Sequence, residues 1–234
     1  MALTALPTIH RLTLAFVTAV PEWHPEHETF EPFPVHAWVI RHPDAVILVD
    51  TGIGAGNDFI DALYAPRITP IASALASIDL APEDVGAVVL SHLHFDHCGQ
   101  HHALSAPVYV QADERAIAQT AGYTVPEWAA IADDRQRIVH GDEEIAEGVR
   151  LLATPGHTPG HQAVVIAAGG ARVVLAAQCA YRAAEVRSGV PAASNLHGDE
   201  WHGAASESLR RVRALGPAQV QLSHDAEIVE LRGD

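Results

Sequence analysis

Cysteine is scarce: the 234 residues include two, Cys98 and Cys179. Two thiols build no disulfide scaffold, and a reducing, cytoplasmic setting is the simplest expectation. Positive charge is also short. Lys plus Arg number 14 against 29 Asp plus Glu, a formal net charge of −15. Nucleic acid is thereby disfavoured as a main partner, because phosphate contacts need a basic footprint. The same field favours metal cations. No apolar run approaches the ~20 residues of a spanning helix, so no membrane partner is expected. Leu12 to Val20 is apolar enough for a signal-peptide core, but Met1 to His10 holds no Lys or Arg and Arg11 alone is a weak basic region. That segment reads as a strand. No Ser- or Gly-rich linker divides the chain, so residues 1–234 are expected to form a single domain. A chain of this length buries roughly 70–75% of its unfolded surface.

Histidine, by contrast, is plentiful at 16 residues, and its grouping is informative. His92-Leu93-His94-Phe95-Asp96-His97 packs three imidazoles and a carboxylate into six positions. The cluster directly follows Val85-Gly86-Ala87-Val88-Val89-Leu90-Ser91, an apolar run rich in β-branched residues that reads as a buried strand. Polar groups at the carboxyl end of a strand are where α/β proteins tend to place ligands. Imidazole and carboxylate suit a borderline metal such as zinc. The alternative is a His-rich solvated loop, against which matching pieces downstream weigh.

Along the rest of the chain, residues 9–20 are strand-like. Residues 21–36, rich in Pro, His and aromatics, read as a loop. His24 and His27 there are either metal ligands or solvated loop residues. Trp23, Phe30, Phe33 and, further on, Trp201 are candidate pocket walls. Val35 to Ile40 and Ala45 to Val49 read as paired strands around His42-Pro43-Asp44. The second ends at Asp50-Thr51-Gly52, where Asp50 either holds a ligating histidine by its second nitrogen or simply bonds its own turn. Asn57 to Tyr64 and Ile68 to Ile78 read as helices. Pro107 to Gln111 reads as a strand, followed by a helix capped by Asp113 and running to about Ala121. A second helix is led by Pro126 over Val125 to Asp134. Val149 to Ala153 is a strand that runs into Thr154-Pro155-Gly156-His157-Thr158-Pro159-Gly160-His161. Gln162 to Ala167 and Arg172 to Ala177 pair around Gly169-Gly170, and the second delivers Gln178 and Cys179 at its end. Residues 182–203 read as an irregular loop. Ser206 to Leu215 reads as an amphipathic helix and Val220 to Leu222 as a last strand, ending at Ser223-His224-Asp225.

Candidate ligands thus fall at several strand ends, which lie side by side in a packed sheet. On these residues the chain resembles the metallo-β-lactamase superfamily of metal hydrolases. HLHFDH matches that family's His-x-His-x-Asp-His signature at every specified position, TPGHTPGH matches the segment supplying its next histidine, and Asp50-Thr51-Gly52 and Ser223-His224-Asp225 match two further elements. The resemblance spans roughly residues 35–230. It implies an α/β fold, an αββα sandwich of two mixed β-sheets flanked by helices, with the site at one edge. It implies that His92, His94 and His157 hold a first metal and that Asp96, His97 and His224 hold a second. His161 is not carried over as a ligand.

Within the superfamily the chain is most similar to the N-acyl homoserine lactonase branch, through HLHFDH with Cys98-Gly99-Gln100, TPGHTPGHQ, and the spacing Gln178-Cys179-Ala180-Tyr181. That branch has a metal-bridging Asp at the position of Gln178 and a substrate-binding Tyr at the position of Tyr181. The expected cofactor is zinc, one or two ions, with Fe or Mn as other divalent candidates. The second site is expected to be the weaker, because Gln178 is neutral where a carboxylate is usual.

The implied chemistry is hydrolysis. A zinc-bound water loses its proton near neutral pH and attacks an ester or lactone carbonyl. Tyr181 stabilises the oxyanion, and Asp96 steers the water or passes its proton to the leaving alkoxide. Cys98 reads as a small packed residue, not a nucleophile. The alternatives are a thioesterase of the glyoxalase II kind and a phosphotriester or aryl ester hydrolase. From another class, the chain could be a non-hydrolytic metal-binding protein. A small-molecule substrate is the expected partner, and a homo-oligomer is compatible with the sequence.

Overall fold

The computed structural model describes residues 6–18 and 32–233. The segment holding His24, His27, Trp23 and Phe30 lies outside the described residues.

Thirteen strands are present among them. The first sheet comprises β1 (Thr8–Thr18), β2 (Pro32–Arg41), β3 (Val46–Val49), β4 (Arg67–Ile68), β5 (Val85–Val89), β6 (Val108–Gln111) and β7 (Gln136–Val139), in the order β4-β1-β2-β3-β5-β6-β7. The second comprises β8 (Glu143–Ala146), β9 (Val149–Ala153), β10 (Gln162–Ala168), β11 (Ala171–Ala177), β12 (Ala218–Leu222) and β13 (Val229–Leu231), in the order β13-β12-β11-β10-β9-β8. Both sheets are mixed. β3, β5, β6 and β7 run parallel, as do β11 and β12, and the other pairings are antiparallel.

The period-2 alternation of strand side chains sorts neighbouring residues into different layers. Trp38, Ile40, Ile47, Val49, Val89 of the first sheet meet Val149, Leu151, Val164, Ile166, Val173 and Leu175 of the second. Their neighbours point outward instead. Val39, Leu48 and Val88 pack under Ile71 and Leu75 of the helix Ile71–Ala76. Val165, Val174 and Val220 pack under Val186, Leu209 and Val212 of the helices Ala183–Ser188 and His202–Arg213. Each of these apolar side chains contributes roughly 1.5–3 kcal/mol on full burial. Helix, sheet, sheet, helix is therefore the layer order that the hydrophobic pattern requires, and it is the αββα sandwich expected from the sequence.

Several expected boundaries change. Residues 32–36 belong to β2, not to a loop. Pro32 and Pro34 lack an N–H, yet this half of β2 pairs only with β1, since β3 reaches no further than Trp38. The other edge is left for the last strand end: His36 N–H donates to Ser223 O (2.9 Å), and His224 Nδ1 donates to Pro34 O (2.9 Å). The helix expected over 68–78 is confined to Ile71–Ala76, because Arg67–Ile68 pairs with β1. The helix after Gln111 runs Ala112–Ile117 with Asp113 in its first turn instead of at the cap. The one led by Pro126 is a single turn, Pro126–Ala129. β7, β8 and β13 are strands the sequence reading lacks, and residues 182–203 contain the helix Ala183–Ser188. The final amphipathic helix starts at His202 and ends at Arg213.

Candidate metal centre

Parallel pairing sets the site. β3 and β5 end together, placing Asp50 beside Ser91, and β11 and β12 end together, placing Gln178 beside Ser223 and His224. The chain leaves both β3 and β11 through a residue in the left-handed region, Asp50 at φ 62° and Ala177 at φ 47°. A β-carbon makes this conformation costly, and such residues cluster at sites that need a sharp redirection. After Ala177 the chain turns Gln178 into the pocket and Cys179 into the apolar layer with Ala176, Ala180 and Leu209. Burial pushes the Cys179 thiol up to about 12, which suits a packed residue and not a thiolate ligand. Cys98 is likewise fully buried in the core, and burial raises its thiol well above the usual range.

The sequence-predicted ligands fall into two adjoining groups, His92/His94/His157 and Asp96/His97/His224, each with its ligand atoms within 4.8 Å of one another. In the first group His92 Nε2 and His94 Nδ1 are 3.1 Å apart, and His157 Nε2 is 3.2 and 3.0 Å from them. Three nitrogens converge on one point. In two of the three the other nitrogen is also engaged: Ser91 Oγ lies 3.0 Å from His92 Nδ1, and Asn195 O accepts from His157 Nδ1 at 3.0 Å. Burial pushes His92 and His157 well below the ordinary histidine range and His94 to about 4. A set of neutral, oriented imidazoles of this kind fits a borderline dication with an open position for a further ligand.

In the second group, Asp50 Oδ2 accepts from His97 Nδ1 at 2.8 Å while its other oxygen accepts from Ser91 N–H at 2.7 Å. Asp50 thus holds a predicted ligand by its second nitrogen and is no mere turn residue. His97 Nε2 faces Asp96 Oδ2 at 3.5 Å, and His224 Nε2 faces the same oxygen at 3.4 Å. Burial alone would lower His97, but the Asp96 and Asp50 carboxylates raise it to about 10. Burial lowers His224 to about 3. Burial would raise the Asp96 carboxyl, yet His97 beside it holds it well below the usual carboxylate range. Gln178 Oε1 lies 3.0 Å from His97 Nε2 and 3.2 Å from His224 Nε2, so its amide oxygen joins the second group's ring of donors.

These protonation states have a measurable consequence. At pH 7 the first-group imidazoles, with values lowered well under 7, carry no proton to displace. His97, raised to about 10, does. Apart from any ionisation of bound water, ion binding at the second group is therefore expected to displace more side-chain protons than binding at the first. Calorimetric titration in buffers of different ionisation enthalpy checks this, and equal release at both groups would contradict it.

His161 lies outside both ligand groups. It donates from Nδ1 to Thr154 Oγ1 (2.8 Å), and its Nε2 accepts from Gln178 N–H (3.2 Å), buttressing the Gln178 backbone. Sequence reasoning missed Ser91, Asn195 and Glu114 as parts of the site. Ser91 is the most accessible of them, as a hydroxyl immediately before the first histidine.

His94 and His157 of the first group and Asp96 and His224 of the second form the floor of a cavity of about 550 Å³. Phe59, Ile60, Tyr64, Phe95, Val125 and Leu196 give it an apolar wall, and Tyr181, Gln178, Asp96 and His224 line its polar end. Phe33 lines the cavity and packs edge-on to His224, with ring centroids 5.2 Å apart. Trp201 packs edge-to-face against His197, a lining residue, with ring centroids 5.7 Å apart.

The fold is shared with known proteins. Residues 30–224 match the model of the metallo-beta-lactamase superfamily, and the chain belongs to that family. It is 35% identical over 146 residues to an N-acyl homoserine lactonase of a Bacillus species, covering 57% of this chain and 58% of that protein. It is 39% identical over 77 residues to the N-acyl homoserine lactonase AiiB of Rhizobium rhizogenes, covering 28% of each. The alignable part thus spans less than two thirds of these relatives. Among solved structures, a quorum-quenching N-acyl homoserine lactone hydrolase superposes with a TM-score of 0.81 at 25% identity, covering 97% of this chain and 95% of that one. A Bacillus thuringiensis AiiA variant with N-decanoyl-L-homoserine at its active site gives the same TM-score at 23% identity.

Proposed function

We propose that this chain is a metal-dependent hydrolase that opens a neutral lactone or cleaves an ester, with an N-acyl homoserine lactone as the substrate to test first. The observation that carries the reading is a pair of adjoining ligand groups beneath a cavity whose lining contains an apolar wall and, among the described residues, no Lys or Arg. The chain has no lysine anywhere. Hydrolases acting on glutathione thioesters or β-lactams must accommodate a carboxylate, which calls for a cation. A neutral lactone with an aliphatic chain needs none.

A zinc-like dication, held by His92, His94 and His157 with a second at Asp96, His97, His224 and Gln178, would supply Lewis acidity and acidify water. Iron or manganese would serve the same donors. The protein's own groups do the rest. Tyr181, at the polar end of the cavity, donates its hydroxyl to the carbonyl oxygen as negative charge develops there. Asp96, kept ionised, orients the attacking water and hands its proton to the departing alkoxide. The apolar wall receives the acyl chain, whose burial aligns the carbonyl over the floor. A reducing, cytoplasmic setting accompanies this reading, since both cysteines are free and buried.

Tyr181→Phe is expected to lower kcat/KM by about tenfold to a thousandfold, roughly 1.4–4 kcal/mol, without changing metal content. Unchanged kinetics would assign Tyr181 to packing. The reading as a whole is tested with a substrate panel of N-acyl homoserine lactones, an aryl ester, a glutathione thioester, a phosphotriester and nitrocefin. Fastest turnover on a lactone is expected. A preference for the thioester or the phosphotriester would replace it with one of the runner-up activities.

A further inference from the structure

Glu114 is fully buried and lies outside both ligand groups. It belongs to the short helix Ala112–Ile117 that follows β6. Its carboxylate gathers donors from three separate parts of the chain. Oε1 accepts from Leu93 N–H at 2.8 Å, between the ligands His92 and His94, and from the Tyr123 hydroxyl. Oε2 accepts from Thr158 Oγ1 at 2.7 Å and from Gly160 N–H at 3.2 Å, just beyond the ligand His157. The Tyr123 ring in turn lies against His94, with ring centroids 4.8 Å apart, and lines the cavity. The approach is tight. A β-carbon on Gly160 would fall 2.1 Å from Glu114 N, so glycine is required for the two segments to meet.

All four donors are neutral. Burying a carboxylate with no cation beside it is costly, and burial pushes the Glu114 carboxyl up despite its hydrogen bonds. An apolar side chain would fill the same space more cheaply if packing were the only need. What a carboxylate does here, and an apolar group does not, is tie the segment before His94 to the segment after His157. These are the two segments that must be held so that His94 Nδ1 and His157 Nε2 stay 3.0 Å apart.

We propose that Glu114 is a positioning residue that sets the bite of the His92/His94/His157 group and pins Tyr123 beneath His94. The proposal rests on the metal-site reading above. It assigns Glu114 no contact with substrate or metal. Its geometry predicts a larger effect on the first group, because Glu114 holds both segments that carry that group's ligands but only the Asp96/His97 side of the second group, with no donor from the segments carrying His224 or Gln178. An amide in place of the carboxylate keeps the shape but presents an NH2 group to two donors, and so opposes one arm of the clamp.

The test is cobalt(II) binding to wild type, Glu114→Gln and Thr158→Val, after chelator stripping. It is read by visible absorption and by competition with a chelating dye, with thermal stability measured alongside. Glu114→Gln is expected to weaken binding at the first group by about 10- to 100-fold and to shift the cobalt absorption bands, with a clearly smaller loss at the second group. Thr158→Val, which removes one arm only, is expected to give a smaller shift in the same direction and serves if Glu114→Gln does not fold. With the wild type binding cobalt, a folded Glu114→Gln, or Thr158→Val in its place, that binds with wild-type affinity and spectrum while only its stability falls would overturn the positioning role. Equal weakening of both groups would overturn it too. A wild type that binds no cobalt overturns the metal-site reading itself and this inference with it.

Discussion

His94→Ala is expected to lose the first ion and, with it, at least about a thousandfold of kcat/KM, roughly 4 kcal/mol of transition-state stabilisation. The size follows from the geometry. His94 Nδ1 is one of three convergent nitrogens, and two imidazoles alone give a dication too few protein ligands for a tight site. The fold should survive, because His94 lies in the cavity floor and not among the residues of the apolar layers. Metal content and lactone hydrolysis measured on the same preparation check this. Loss of activity with the first ion retained would assign His94 to substrate binding, and full activity without metal would end the hydrolase mechanism proposed here.

Gln178→Asp is expected to tighten the second ion by about tenfold or more. Gln178 Oε1 sits 3.0 and 3.2 Å from the His97 and His224 nitrogens, so an acidic replacement brings a negative charge toward the same nitrogens from one methylene further back. A unit charge ~4 Å from another in an effective dielectric of ~20 contributes up to about 4 kcal/mol before desolvation, so about 1.4 kcal/mol, or tenfold, is a conservative expectation. In the wild type the amide oxygen is a weaker donor, and Asp96 is the only carboxylate in either group. The second ion should therefore leave on dialysis against a mild chelator while the first stays. Cys179→Ala should change neither, since that thiol faces the apolar layer. Two ions of equal affinity in the wild type, together with a Cys179→Ala protein that binds none, would show that the thiol is the ligand after all.

What could be read from the sequence divides along a physical line. HLHFDH was legible because its ligands are contiguous and follow a strand whose composition is unmistakable. His157 and His224 were legible as polar groups at the ends of further strands, once parallel pairing was assumed. The choice of Gln178 over Cys179 came from the resemblance, through the spacing to Tyr181, and the turn at Ala177 sends the two side chains to opposite sides. The edge strands were not legible. Gln136–Val139 and Glu143–Ala146 are partly exposed, carry charged or polar residues at half their positions and show no clean alternation. The start of β2 was hidden by Pro32 and Pro34, which are tolerated only because β3 does not reach that far. Glu114 could not be found from sequence either, because its partners Leu93, Tyr123, Thr158 and Gly160 are brought to it by tertiary folding alone.

Elemental analysis of the untreated, purified protein tests the central claim most directly, because every step above presumes that the two ligand groups hold metal. At least one transition-metal ion per chain is predicted, and His94→Ala should lower that count. A protein that carries no transition metal as purified, and takes up none on incubation with zinc, iron or manganese, would contradict the account.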